Sequence, residues 1–325
     1  MDSKHLHVAL ASDQNYAEYV AVVIVSLFDN NKWQDFTTVH LLSNGIDEAT
    51  IDKLKQHIPA NAGELKVYDI RTLKEDLGVN VPPTFAITTY ARLFLPHLLD
   101  KEIDRVLYVD CDVVISGSVQ EFFNVSFEGQ WIAGVRDTLI STVFKVAVGM
   151  AETDEYFNAG VLMMNLDAWR ENNVTQRCLD FLLEHNGRVV HHDQGIINGV
   201  CNHKKVVMHP KFNASTCYFS HPYSLLKKQN NPFYSQQEVE EATSNPAIIH
   251  FTEGFYNRPW IVNSLHPLRD LFRRYHSMTQ WADTPLQPDR RSAAARLVAW
   301  SFIHLPYWMY RFVAKTLAIL SHLKR

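Results

Sequence analysis

The stretch RVLYVDCDVVISG, Arg105 to Gly117, is rich in valine, leucine and isoleucine like a buried strand, yet two carboxylates, Asp110 and Asp112, interrupt it one residue apart. Unpaired charge in a strand core costs several kcal/mol, so the two acids need a partner. In extended chain, residues i and i+2 share a face about 7 Å apart, which lets Asp110 and Asp112 address one ligand. Facing carboxylates repel. A hard divalent cation removes the repulsion and keeps positions open for phosphate oxygens. Bound there, it acts as a Lewis acid on a departing diphosphate.

Working outward, residues 7–12 read as a first strand and 16–30 as a helix. Residues 36–42 read as a strand, 47–57 as a helix and 65–70 as a third strand. Strands alternating with helices predict βαβ units and a mostly parallel sheet. Ligands of such sheets sit at the carboxyl ends of strands. Asp13-Gln14-Asn15 and Asp110-Cys111-Asp112 both fall at such ends. Further strands are expected at 131–135, 161–165, 205–208 and 247–251, and helices at 89–99, 174–184 and 194–200. The fold class is α/β, a Rossmann-like, mixed but mainly parallel sheet flanked by helices.

The chain has 325 residues, 46% hydrophobic and 20% charged, enough for a large core. A net charge of -4 argues against nucleic acid as a partner. Four cysteines without a CxxC pair argue for a reducing compartment and against a thiolate metal site. The N-terminal MDSKHLHVALASD lacks the apolar run of a signal peptide, so a cytoplasmic location is expected. Composition shifts near Thr284-Pro285-Leu286-Gln287-Pro288. This divides a catalytic domain, 1–283, from a helical basic-aromatic tail, 284–325. From Asp289 onward that single acid faces seven basic residues, with Trp300, Trp308 and Phe312 among the aromatics. The longest uncharged run, 297–310, has 14 residues and contains Pro306, against the roughly 20 needed to span a bilayer. The tail therefore reads as a membrane-interface segment, peripheral on the inner face of the cell membrane. As an anchor alone, it is expected to be dispensable for turnover of soluble acceptors.

A D-x-D after an apolar strand also fits phosphatases of the haloacid dehalogenase type, with Asp110 as nucleophile. Those enzymes place the motif near the N-terminus, ahead of a lysine and a paired-acid motif. Here it lies a third of the way along, and no paired-acid motif follows. Five further segments point elsewhere: ASDQNY (11–16), AITTYARLFLP (86–96), YFNAGVLMMNLDAWR (156–170), HHDQGIINGV (191–200) and IIHFTEGFYNRPW (248–260). In this order and spacing, over roughly residues 6–275, they resemble family 8 of the retaining glycosyltransferases. The likeness is strongest to bacterial α-galactosyl- and glucosyltransferases of lipopolysaccharide and lipooligosaccharide.

The resemblance implies a GT-A fold and transfer of galactose or glucose from a UDP-sugar to a saccharide hydroxyl. Mn²⁺ is the expected ion, with Mg²⁺ the alternative, and a lipid-linked saccharide the expected acceptor. It implies that Asp110, Asp112 and His250 hold the metal, and that Asp13, Asn15, Tyr16 and Cys111 lie at the uridine and ribose. Read from the residues alone, Asn15 could equally be a helix N-cap. Arg92, Asp137, Asp193 and Gln194 would surround the reacting sugar, and Asn158, Ala159 and Gly160 form a loop against its hydroxyls. His191 and His192 are read as structural or solvent-facing, since adjacent residues point apart. Gly254 and Arg258 would close on the diphosphate. Here the pattern departs, being about a residue longer and carrying arginine for lysine, although arginine grips phosphate bidentately. Retention is expected by same-face attack, because Gln194 is a poor nucleophile and Asp193 misplaced. A UDP-sugar-binding protein without turnover is the remaining alternative.

Overall fold

The computed structural model describes residues 5–73, 87–138, 140–229, 231–252 and 254–322. Strand β1 (His5–Asp13) buries Leu6, Val8 and Leu10 on one face and Ala9 and Ala11 on the other. A strand covered on both sides belongs in the middle of a parallel sheet. Its parallel partner β2 (Phe36–Asn44) follows the crossover helix α1 (Ala17–Asn30), in register from His5 opposite Phe36 to Asp13 opposite Asn44. Helix α2 (Glu48–Lys55), capped by the Asp47 side chain on the Thr50 N–H, leads to β3 (Gly63–Asp69), also parallel. On the other side of β1 lies β4 (Arg105–Val109), parallel to it.

Beyond β4 the sheet becomes mixed. Strand β5 (Val113–Ile115) leaves it, while β6 (Ile132–Arg136), β7 (Phe157–Asn165) and β8 (Lys205–Val207) complete the order β3-β2-β1-β4-β7-β6-β8. β7 runs antiparallel to both β4 and β6. A second small sheet pairs β5 with β10 (Ile248–His250) and β10 with β9 (Ala214–Ser215). Apolar residues pack on both faces of the large sheet: Leu10, Val20 and Ile24 on one, Phe94, Leu162 and Trp169 on the other.

Four expectations are corrected. β7 begins at Phe157 rather than 161, because a register shift between Gly134 and Arg136 of β6 lets Arg136 pair with Phe157. Asn158, Ala159 and Gly160 thus lie in a strand and not in a loop. Residues 89–99 are not one helix. A turn at Ile87–Tyr90 passes through a 3₁₀ segment, Ala91–Phe94, into a short helix, Leu95–Leu98. Pro96 stands in the first turn of that last helix, where its missing N–H costs nothing. Ala86, the first residue of that motif, lies outside the described residues. Helix α3 (Val174–Glu184) stands as expected, and α4 (His192–Val200) starts two residues early, after His191 in left-handed backbone.

The tail forms α5 (Ala293–His304), capped by Ser292, and α6 (Tyr307–His322), separated by Leu305-Pro306. Ahead of them Gln287 pairs with the body: its N–H donates to the Trp260 carbonyl (2.8 Å) and its side chain to the Tyr19 hydroxyl (2.7 Å). Among the described residues no helix is long and apolar enough to cross a membrane.

Candidate active site

Asp110 and Asp112 do not share one strand face, as the i, i+2 argument supposed. They stand in the turn between β4 and β5, where the chain leaves the large sheet for the small one. The Asp110 N–H continues the β4–β7 ladder onto the Gly160 carbonyl (2.7 Å). The antiparallel register then sets His250 opposite Val113, and the Phe251 N–H donates to the Asp112 carbonyl (2.9 Å). Two sheets meeting at a turn therefore bring three ligands together. One donor atom from each of Asp110, Asp112 and His250 lies within 4.8 Å of the others. His250 Nε2 stands 3.1 Å from Asp112 Oδ1 and 4.0 Å from Asp110 Oδ2.

The surroundings fit a divalent cation. A Cβ on Gly160 would lie 2.3 Å from His250 Cε1 and 2.7 Å from Asp110 Oδ2, so only glycine admits the cluster. His250 Nδ1 contacts Asn213 Oδ1 at 3.0 Å, an acceptor that puts the ring proton on Nδ1 and frees Nε2 for a metal. Burial alone would lower the His250 pKa, but Asp112 and Asp110 outweigh it and raise it. Burial would raise that of Asp112, and His250 with Arg258 brings it down. Two carboxylates and one imidazole form a donor set that suits a divalent metal ion.

On one side of the cluster Arg92 is buried, its guanidinium 4.2 Å from the Tyr108 ring centroid. It donates from Nη2 to Asp110 Oδ1 (2.9 Å) and from Nη1 to the Ala159 carbonyl. Its Nε lies 2.9 Å from Asp193 Oδ2, an ion pair without the alignment of a hydrogen bond. Burial pushes the Asp193 pKa up to about 6, against the pull of Arg92. Gln194 is fixed at both ends: Nε2 donates to Asp137 Oδ2 (2.7 Å) and Oε1 accepts from the Ala159 N–H (3.0 Å). Burial likewise raises the Asp137 pKa, against the Thr138 N–H and Gln194. These residues, with Asn158 and Gly160, line a cavity of about 620 Å³.

On the other side a cavity of about 310 Å³ is lined by Asp13, Tyr16, Cys111, Asp112 and Arg258, among others. Asp13 caps the 3₁₀ turn by accepting from the Asn15 N–H (2.9 Å), so the capping role considered for Asn15 falls to Asp13. Asn15 itself is exposed and does not line this cavity. The Cys111 thiol is buried against the Ala11 carbonyl, which raises its pKa and leaves it a neutral wall. Arg258 Nη2 stands 3.3 Å from Asp112 Oδ2, and its buried Nε has no hydrogen-bond partner among the described residues. Gly254 faces a different cavity, beside the tail.

The chain matches the family model described as Glycosyl transferase family 8 over residues 7–263. It is a member of that family. The phosphatase and the non-catalytic binder are thereby set aside in favour of a glycosyltransferase of the hexosyltransferase class. Among relatives, it is 26% identical over 280 residues to General stress protein A of Bacillus subtilis, covering 85% of this chain and 94% of that one. It is also 26% identical over 286 residues to a lipopolysaccharide 1,2-glucosyltransferase of Escherichia coli, covering 86% and 80%. The galactosyltransferase LgtC, solved with donor and acceptor sugar analogues, superposes with a TM-score of 0.69 at 23% identity over 85% of this chain and 96% of that one. That likeness establishes the GT-A fold.

The structure adds residues to this family 8 site that sequence reasoning missed. Asn213 orients His250 and also donates to Asn158 Oδ1 (2.9 Å). Buried Asn198 receives the Phe157 N–H and donates to the Gln194 carbonyl, tying β7 to α4. Neither residue lies in a spacing pattern that names a ligand. His191 bonds the Tyr156 hydroxyl (3.0 Å) and His192 is exposed, and neither joins the metal cluster.

Proposed function

We propose that this enzyme transfers galactose or glucose from a UDP-sugar to a saccharide hydroxyl with retention at the anomeric carbon. The carrying observation is the convergence of Asp110, Asp112 and His250 between two cavities, with Arg258 on one side and the Asp137–Gln194 pair on the other. The smaller cavity takes the uridine, with Asp13 and Tyr16 at the base. The larger takes the hexose against Asp137, Asn158, Ala159 and Asp193. A Mn²⁺ held by the three ligands would neutralise the diphosphate as it leaves. Arg258 grips the same phosphates, and Arg92 holds Asp110 and Asp193 in place.

The hydrogen bonds favour same-face attack. A double displacement needs a free nucleophile below the sugar. The Gln194 amide is engaged at both ends, and Asp193 Oδ2 is paired with Arg92. The bond from the anomeric carbon to the diphosphate breaks, the acceptor oxygen bonds to that carbon on the same face, and the acceptor proton passes to the departing phosphate. Named relatives that act on lipopolysaccharide support a lipid-linked acceptor at the inner membrane face, reached through the basic-aromatic tail.

The test is release of UDP from UDP-galactose, UDP-glucose and UDP-N-acetylglucosamine, with Mn²⁺ and with EDTA. One hexose donor should release UDP in Mn²⁺ only. Release independent of metal, or from no donor, contradicts the reading.

A further inference from the structure

The segment that carries Arg258 is fastened at two ends by different parts of the molecule. At its far end Trp260 stacks on Tyr19 of α1, ring centroids 4.4 Å apart, and packs on Phe272 at 5.3 Å. At its near end Phe255 is fastened by the tail. Its ring stacks on Phe302 of α5 at 4.1 Å and meets Tyr310 of α6 edge-on at 5.6 Å. Its carbonyl accepts from Arg291 Nη1 at 3.2 Å. Arg291 is itself locked by Asp289, with Nε to Oδ1 at 3.0 Å and Nη2 to Oδ2 at 2.9 Å, the carboxylate being buried. Phe255 and Arg258 both border a cavity of about 790 Å³ whose opposite wall is α5. Between the two ends the Tyr256 carbonyl accepts from the Leu265 N–H (2.8 Å) and the Asn257 carbonyl from the Ser264 hydroxyl (3.1 Å), so the tail supplies the part of the fastening that reaches Arg258 through Phe255.

We infer that Phe302 and the Asp289–Arg291 pair are positioning residues for Arg258, so that the tail completes the donor site as well as serving attachment. The inference rests on the reading that Arg258 grips the donor diphosphate. Freed at Phe255, the segment spends part of its time with Arg258 turned away from Asp112, and the diphosphate loses its partner. Uridine, held at the Asp13 and Tyr16 end, does not depend on that contact.

The experiment compares full-length wild type with Phe302→Ala, Arg291→Ala and Arg258→Ala, and with the double variant Phe302→Ala/Arg258→Ala. UDP affinity is measured by calorimetry in Mn²⁺ and uridine affinity by NMR titration. Phe302→Ala and Arg291→Ala should each weaken UDP by about fivefold, the worth of one aromatic or charge-assisted contact. Uridine affinity should not change. The KM for the UDP-hexose should rise more than kcat falls, and Phe302→Ala should add nothing once Arg258 is gone. Should Phe302→Ala not fold, Phe302→Leu keeps the helix packed and removes only the ring stack. Unchanged UDP affinity in the single variants overturns the inference, as do equal losses for UDP and uridine or losses that add in the double variant. A wild type that binds no UDP defeats the functional reading itself. An Arg258→Ala that binds UDP normally removes the premise.

Discussion

Gly160 has no side chain, and the proposed cation depends on that. A methyl group there would sit 2.3 Å from His250 Cε1, and the ring is buried. Gly160→Ala should cost about 1–3 kcal/mol of stability through overpacking and at least about tenfold in Mn²⁺ affinity, since the ligands are pushed apart. Calorimetric Mn²⁺ titration beside a thermal melt separates the two effects. Asn213→Ala releases His250 Nδ1 and should lower Mn²⁺ affinity by about 10–100-fold with the three ligands intact. An unchanged affinity would show that the ring is oriented by something else. At this scale the sequence was uneven. Asp110 and Asp112 were legible because strand hydrophobicity made two acids costly. Asn213 was not, since it meets His250 from 37 residues away and no periodicity links them. Gly254 was assigned to the diphosphate by pattern, at a point where the segment is about a residue longer than the pattern. In the fold it borders the tail-side cavity instead.

At the scale of elements, alternation of strands and helices was readable because each burial period is local. What was not readable depends on partners distant in sequence. β7 gained its first residues only through pairing with β6, and the two acids converge because one sheet hands the chain to another. A row of polar side chains across β1, β2 and β3 carries a consequence of its own. His7 Nδ1 lies 3.1 Å from His40 Nε2, and His40 Nδ1 lies 3.0 Å from the Tyr68 hydroxyl. Burial lowers the His7 pKa to about 4 and that of His40 to about 3, with Lys66 and the neighbouring histidines adding to the shift. The unfolded chain takes up these protons near 6.5, well before the folded chain does. Between those values the unfolded state binds more protons, so stability is lost as pH falls. His40→Phe should therefore flatten the loss of stability between pH 7 and pH 5 by about 1–2 kcal/mol. Denaturant melts at the two pH values check this, and parallel losses in both proteins would refute it.

At the scale of the whole molecule, α5 and α6 keep much of their apolar surface in solvent. Trp308 and Phe312 are each 71% exposed, and Arg311 and Lys315 lie on the same helix. This pairing suits an anionic lipid surface. Trp308→Ser/Phe312→Ser should lose sedimentation with phosphatidylglycerol vesicles and keep Mn²⁺-dependent UDP binding. Wild-type binding should weaken as salt rises. Co-sedimentation of the variant equal to wild type would make the exposed rings irrelevant to attachment. Composition raised the expectation of a separate tail, but its stacking on Phe255 was invisible, because that contact joins aromatic residues 47 positions apart with no pattern between them.

The central claim is that Asp110, Asp112 and His250 hold a cation on which UDP departs. It is tested most directly by titrating Mn²⁺ into the full-length protein with UDP present, for wild type and Asp112→Asn. One Mn²⁺ per chain is expected in the wild type, and at least about tenfold weaker binding in the variant. A wild type that takes up no Mn²⁺, or a variant that binds it equally well, would mean that these three residues do not hold the cation.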